Sequence, residues 1–460
     1  MQVVPYVLGI VHGTGYPLFT LVGWAFTHAL PFSNVVWRID LLCALCIALA
    51  ALGVRALALG FGAGRLAALG AALAFAFSEP VWQKGINADG HAAALALIVL
   101  ALVLVQRALA TRSAAFLIAA AAADGFAMAV HPTALWVLPG LALAAVLVRD
   151  RLRPATALAT LGALVAPLAL YAYVPLRYRY IAAHGLDPNA GPPLFGAGSV
   201  FWGHPGMERF ADVVRQVSGP EVGAGGTALQ AFDLRRWPGF GLEWLHLAQP
   251  QLSTLLLVLA LAGALAVAVR ARALLAVAVA GFGAVPFAMG FAPIESDIGR
   301  YLLPSYATAC ALAASAPALL SAGAPRRIAA GALGLLLLAL AGWQFQRHSF
   351  YFHNAAGRGN LATIEAVRAN TPDDAIVLAG WLDLPTLAYA RYVEPSLGRR
   401  LLVGAWPSEP RERLRRWARS RRVFVVSNYI LRNEIERVLP KPWLHRRSPR
   451  SDPAIVEVVP

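Results

Sequence analysis

Charge is what this sequence lacks. Only 14% of its 460 residues are Asp, Glu, Lys or Arg, against roughly 25% in an ordinary soluble domain. Hydrophobic residues make up 58%, so a soluble globule of this length would have too little polar surface to coat itself. That excludes a plain cytosolic enzyme and a disordered chain. Cysteine is scarce too. Cys43, Cys46 and Cys310 all lie in apolar runs, and the odd count excludes a disulfide framework. Cys43 and Cys46 have C-x-x-C spacing, but their Leu, Ala and Ile surroundings read as packing, not as zinc or redox chemistry. Acids are outnumbered by bases, 24 to 39, for a formal charge of +15. This basic excess does not suit a nucleic-acid partner, because the arginines sit in short clusters between apolar runs. No H-E-x-x-H, P-loop or Rossmann glycine pattern occurs, which removes the common nucleotide and metalloprotease sites. No basic segment precedes an apolar core at the N-terminus, so no signal peptide is read there.

What is present is a series of apolar runs long enough to span a bilayer, which takes roughly 20 residues each. They fall at about 36–54, 66–80, 91–106, 113–130, 133–148, 154–176, 251–269, 273–291, 301–322 and 328–346. An eleventh stretch, 14–30, is interrupted by Gly15, Pro17 and Gly23 and is expected to be interfacial or re-entrant. Alternate loops carry Arg55/Arg65, Arg107/Arg112, Arg149/Arg151/Arg153, Arg270/Arg272 and Arg326/Arg327. The positive-inside rule puts these in the cytoplasm. A multi-pass cytoplasmic (inner) membrane protein is expected, with its first 35 residues, a long loop at about 177–250 and the tail after Arg347 outside.

The composition changes after about residue 349. Ala375–Gly380, Arg400–Gly404 and Val423–Ser427 read as short buried strands. Helices are expected over 357–370, 384–393, 409–420 and 430–438. The predicted fold class is therefore an all-α polytopic membrane region over 1–349 with a small α/β extracytoplasmic domain over 350–460, its sheet parallel. The seven arginines between Arg411 and Arg422 read as a solvated face or a contact with lipid headgroups.

Ionisable side chains are costly in a membrane protein, so their placement is informative. Here they gather at the expected outer boundary: His12, Arg38 and Asp40; Glu79, Lys84, Asp89 and His91; His131; Arg177, Arg179, His184 and His204; then Glu295, Asp297 and Arg300. Each has a plainer reading. Arg38 and Asp40 form a local ion pair, Asp89 and His91 a solvated loop, His131 a helix cap, and Glu295, Asp297 and Arg300 a salt bridge at a helix start. Asp124, inside an Ala-rich run, must pair, face a cavity or stay protonated.

The stretch Leu8-Gly9-Ile10-Val11-His12-Gly13-Thr14-Gly15-Tyr16-Pro17-Leu18 resembles the signature of the bacterial relatives of eukaryotic protein O-mannosyltransferases. Further matches follow in order: Leu30-Pro31-Phe32 to Arg38-Ile39-Asp40, Val81-Trp82 to Asp89-Gly90-His91, and His131. After these come Tyr173-Val174-Pro175-Leu176-Arg177, Phe201-Trp202-Gly203-His204-Pro205, and Glu295-Ser296-Asp297 to Tyr301-Leu302-Leu303-Pro304. The resemblance implies a GT-C glycosyltransferase fold. It implies transfer of a sugar from a polyprenyl-phosphate donor, at the outer face, to a hydroxyl of an acceptor protein or glycan. The family's carboxylate base is expected upstream of Met1, and Asp89 is the best carboxylate for that role within the chain. Arg300, His131, His12 and Arg177 are candidates for the leaving phosphate. Gly13 and Gly15 would admit close backbone approach to sugar or phosphate. Tyr16, Arg38, Asp40, His91, His204, Glu295 and Asp297 complete the expected substrate site. A divalent metal at the outer acids is a further expectation without a spacing signature. A lipid-linked sugar transporter or flippase and a non-catalytic scaffold remain open alternatives.

Overall fold

The computed structural model describes residues 2–10, 16–192, 194, 201–202, 208–218, 233–268, 273–291, 298–348, 358–380, 382–404, 410–427, 437–448 and 454–460, with side chains described for all but 216–218, 273–275, 287, 290–291 and 358–359. Each of the ten apolar runs is helical over most of its length. Among the described residues, four helices are long and apolar enough to cross a membrane: Val35–Gly60, Gly90–Thr111, Pro154–Ala183 and Ala324–Arg347. Leu234–Leu252 and Thr254–Ala268, bent by 118° at one break, make a fifth if taken together. The other runs are shorter helices. Arg65–Ala76 has 12 residues, about 18 Å at 1.5 Å per residue, well short of the roughly 30 Å hydrocarbon layer. The chain is a mostly helical, multi-pass membrane protein with a small sheet.

The first helices are labelled here as α1 (Val3–Val7), α2 (Pro17–Ala29), α3 (Val35–Gly60), α4 (Arg65–Ala76), α5 (Glu79–Gly85), α6 (Gly90–Thr111) and α7 (Ala114–Val130). Helix α3 starts where the Asn34 side chain accepts the Trp37 amide at 2.8 Å, a standard N-cap. Its buried face carries Cys43, Ile47, Ala50, Val54 and Leu57, while Leu45, Leu49 and Leu52 are exposed. Exposed leucines at helical spacing are costly in water and ordinary against lipid. Small residues let helices touch. A Cβ on Gly70 would lie 2.7 Å from the Cβ of Leu337, and one on Gly334 would lie 2.9 Å from the Ala67 amide nitrogen. This close approach joins α4 to Ala324–Arg347.

The bundle has two unlike ends. The end of α3 at Gly60–Gly62, Arg112 after α6, Val148, Val267 and Arg326 all border one cavity. Several of the arginine clusters expected to share one side of the membrane therefore do meet. The opposite end carries the start of α6, the residue after α7, and the sheet.

That sheet has five strands in the order β2-β1-β3-β5-β4: β1 (Ile376–Ala379), β2 (Leu401–Val403), β3 (Val423–Ser427), β4 (Leu444–Arg446) and β5 (Ala454–Val458). Strand β1 pairs in parallel with β2 and β3, as the three apolar runs predicted. The two antiparallel strands β4 and β5 extend it beyond β3 and correct the all-parallel expectation. Alternate residues feed two cores. Val377, Leu402, Phe424 and Ile455 face one side together with Val3 of α1. Ile376, Leu401, Val425 and Trp417 fill the other. Burial of both faces explains why β1–β3 read as continuous apolar runs. Helices Arg358–Asn370, Leu384–Ala388 and Pro410–Ala418 match three expected ones. The fourth, 430–438, falls largely outside the described residues.

Candidate functional site

The site grows from the start of α6. Asp89 is its N-cap and accepts the His91 amide on Oδ1 at 2.9 Å. The same Oδ1 meets His91 Nδ1 at 2.7 Å. Its second oxygen, Oδ2, meets Lys84 Nζ of α5 at 2.9 Å. Behind it, the Asp89 amide and carbonyl lie 3.5 and 3.6 Å from Cys43 Sγ. Burial alone would raise the Asp89 carboxyl. The two hydrogen bonds from His91, amide and ring, with the Lys84 ammonium, outweigh burial and hold it well below the ordinary carboxylate range. A carboxylate so held is a poor proton acceptor.

His91 is in the opposite situation. Its Nδ1 is committed to Asp89, which fixes the ring. Its Nε2 is buried with no hydrogen-bond partner among the described residues, and the residue is only 5% exposed. Such a group normally finds a partner. The His131 ring lies 4.3 Å from it, centroid to centroid. His131 closes the end of α7, and its Nδ1 accepts from the Thr133 amide at 3.1 Å and meets Thr133 Oγ1 at 2.8 Å. The helix-cap reading of His131 and its place in the cluster therefore both hold. Tyr16, at the start of α2 with a left-handed φ of 40°, sets its ring 5.3 Å from His131 and 6.5 Å from His91. Gly90 makes room for it, since a Cβ there would lie 2.8 Å from Tyr16 Cδ1. Tyr301 approaches from another element, 5.6 Å from His91. Arg300 donates Nη2 to the Tyr301 hydroxyl at 3.0 Å. His91, Thr133, Trp136, Arg300 and Tyr301 line one cleft.

Five expected site residues thus come together: Tyr16, Asp89, His91, His131 and Arg300. Two others are drawn elsewhere. Arg38 spends its guanidinium on the carbonyls of Thr27, Phe32 and Ser33 at 2.7–2.8 Å, tying the α2–α3 turn, and not on Asp40. Arg177 donates Nε to the Leu8 carbonyl at 2.6 Å and Nη2 to that of Val7 at 3.0 Å. Tyr173 adds a bond to the Gly9 carbonyl at 3.0 Å. Leu8 is left-handed, with a φ of 51°, so this clamp holds a strained turn leading toward Tyr16. Asp40, on α3, lies against the Ala88 backbone next to Asp89, and its buried Oδ1 lacks a partner among the described residues. His12, Gly13, Gly15, His204, Glu295 and Asp297 lie outside the described residues. Lys84 and Tyr301 were not expected as site members. Their sequence signals were the place of Lys84 among the outer-boundary polar residues and of Tyr301 in the last family-like stretch. Among the described residues, no group of three or more His, Cys, Asp or Glu is placed to hold a metal ion.

Residues 1–153 match the family model described as the protein O-mannosyl-transferase TMEM260 N-terminal domain. A mouse relative, protein O-mannosyl-transferase TMEM260, is 37% identical over 82 residues. That stretch covers 18% of this chain and 12% of the mouse protein. A crystal structure of the Archaeoglobus fulgidus oligosaccharyltransferase, complexed with Zn and sulfate, aligns at a TM-score of 0.46 and 15% identity. It covers 89% of this chain and 59% of the other. The O-mannosyltransferase likeness read from the motifs is borne out over the first 153 residues. Tyr16, Asp89, His91 and His131 lie inside that region; Arg300 and Tyr301 lie beyond it.

Proposed function

We propose that this protein is a membrane glycosyltransferase that moves a sugar from a polyprenyl-phosphate donor to a hydroxyl of a protein or glycan. The reading includes a GT-C-like multi-pass helical fold over residues 1–349. It puts the α/β region, 350–460, and the His91–Arg300–Tyr301 cleft on the outer face of the inner membrane. The observation that carries it is the buried His91 Nε2, without a partner among the described residues, in the O-mannosyltransferase-like region 1–153 and sharing a cleft with Arg300.

The chemistry follows from the geometry. Asp89 holds the imidazole by Nδ1, so Nε2 is the nitrogen that takes a proton. The acceptor oxygen attacks the anomeric carbon as its proton passes to Nε2. The bond from that carbon to the phosphate oxygen breaks, and the polyprenyl phosphate leaves with the electron pair. Arg300 offsets the charge gained by the leaving phosphate. In-line attack inverts the anomeric centre. Tyr16 and Tyr301 pack their rings about His91. Asp89 is then an orienting group, and the base is His91.

The test uses purified full-length protein in bilayers, polyprenyl-phosphate sugars and a panel of hydroxyl acceptors, with product detected by mass spectrometry. Transfer is expected. His91→Ala and Arg300→Ala should each lower kcat by roughly 100-fold or more with insertion unchanged. Movement of the sugar lipid across vesicles without any product, or full transfer by both variants, would defeat the reading.

A further inference from the structure

We infer that the arginine-bearing end of the bundle holds a binding site for an anionic membrane phospholipid, a site separate from the transfer cleft. The cavity there measures about 530 Å³, within the roughly 300–1,000 Å³ of small-molecule pockets. A second cavity of about 330 Å³ shares Gly62, Ala318 and Arg326 with it. The wall is largely apolar, with Leu109, Leu147 and Val267 facing the space and Arg112 and Arg326 at its edge. Apolar wall and cationic rim together match an amphiphile with a negative head.

The charges favour an anion. Arg55, Arg65, Arg107, Arg112, Arg149, Arg151, Arg153, Arg326 and Arg327 lie in these helix ends and loops, against the single acid Asp150. Asp150 is already taken, pairing with Arg112 at 2.5 Å and lying 3.5 Å from Arg151. Arg326 gives one N–H to the Gly62 carbonyl at 3.2 Å, which aims the guanidinium at the mouth and leaves other donors of its fork. Gln106, the buried polar side chain of the wall, gives its amide to the Leu57 carbonyl at 3.0 Å and makes no demand on the occupant. The cavity lies where spanning helices end, the level at which a headgroup meets its acyl chains. A free phosphate would leave the apolar wall in water. A neutral lipid would leave the arginines uncompensated.

The protein is reconstituted in bilayers of equimolar phosphatidylglycerol and phosphatidylcholine, extracted gently, and its retained lipid is identified by native mass spectrometry. Phosphatidylglycerol should be kept in preference. Arg326→Gln should lower its retention by about fivefold, the effect of one arginine near an anionic headgroup. Ala110→Phe, which keeps every charge and fills the mouth, should lower it similarly. Glycerol 1-phosphate and inorganic phosphate should fail to displace the lipid. Equal retention of the two lipids, unchanged retention in Arg326→Gln, or displacement by either soluble phosphate overturns the inference. Arg326 is half-exposed, so its variant decides the matter even if Ala110→Phe fails to fold.

Discussion

Asp89 meets three donors with two oxygens, and that arrangement sets what the residue does. Its depressed carboxyl contributes stability that is fully present above the ordinary Asp range, about 3.9, and is lost as pH falls through the lower folded value. Asp89→Asn keeps an N-cap but removes the charge facing Lys84 and His91. Transfer should fall at least about 100-fold. The difference in melting temperature between the two proteins should shrink below about pH 4. A melting difference that persists unchanged into acid would contradict the ion pairing. The cluster of Tyr16, Asp89, His91, His131 and Arg300 was legible because each is a polar group where polarity is expensive. The division of labour within it was not. Asp89 and His91 differ by two positions, and only the turn at the helix start shows which is held and which is left open.

Helices were legible from apolar runs, since length and hydropathy decide them together. Their ends were not, because Pro167 and Pro250, near the 3-10 turn Ala166–Ala172 and the break at Ser253, lie inside or beside apolar runs and do not by themselves say whether a helix bends or stops. Strands β4 and β5 were missed for a related reason. Leu444–Arg446 is a polar edge, and β5 places Glu457 where alternation alone gives no signal of its partners. Arg177 shows the limit for a tether between elements, because a guanidinium has the same letter whether it meets phosphate or carbonyl. The two uses separate experimentally. Arg177→Lys keeps the charge and loses the fork. If it is a clamp on α1, the lysine variant should lose about 2 kcal/mol of stability in thermal unfolding and fail to restore activity. Full rescue by lysine would restore the phosphate-ligand reading.

Across the whole molecule, the sheet region is joined to the bundle through α1, so its loss should be felt at the site and not in insertion. Removing 350–460 should impair acceptor use more than membrane insertion; equal transfer to the same acceptors by the shortened protein would refute this. The sheet's own acid sensitivity lies in Glu457. Arg422 binds it through two hydrogen bonds of 2.7 and 2.9 Å, and Arg447 adds one of 2.6 Å. The Arg422 bonds lead in lowering its carboxyl, against burial, with Arg447 assisting. Its contribution is therefore present above about pH 4.3 and fades as pH falls through the lower folded value. Glu457→Gln should lower the melting temperature at neutral pH, by an amount that vanishes toward acid. Equal destabilisation at both ends of the pH range would point to packing alone.

Val3 is sealed into a face of the sheet whose other members, Val367 to Ile455, are translated hundreds of codons later. Translation must pass every helix between them before that residue finds its neighbours. Until then the leading turn waits unfinished, and whichever side of the bilayer receives the last strand must be the side on which it is waiting.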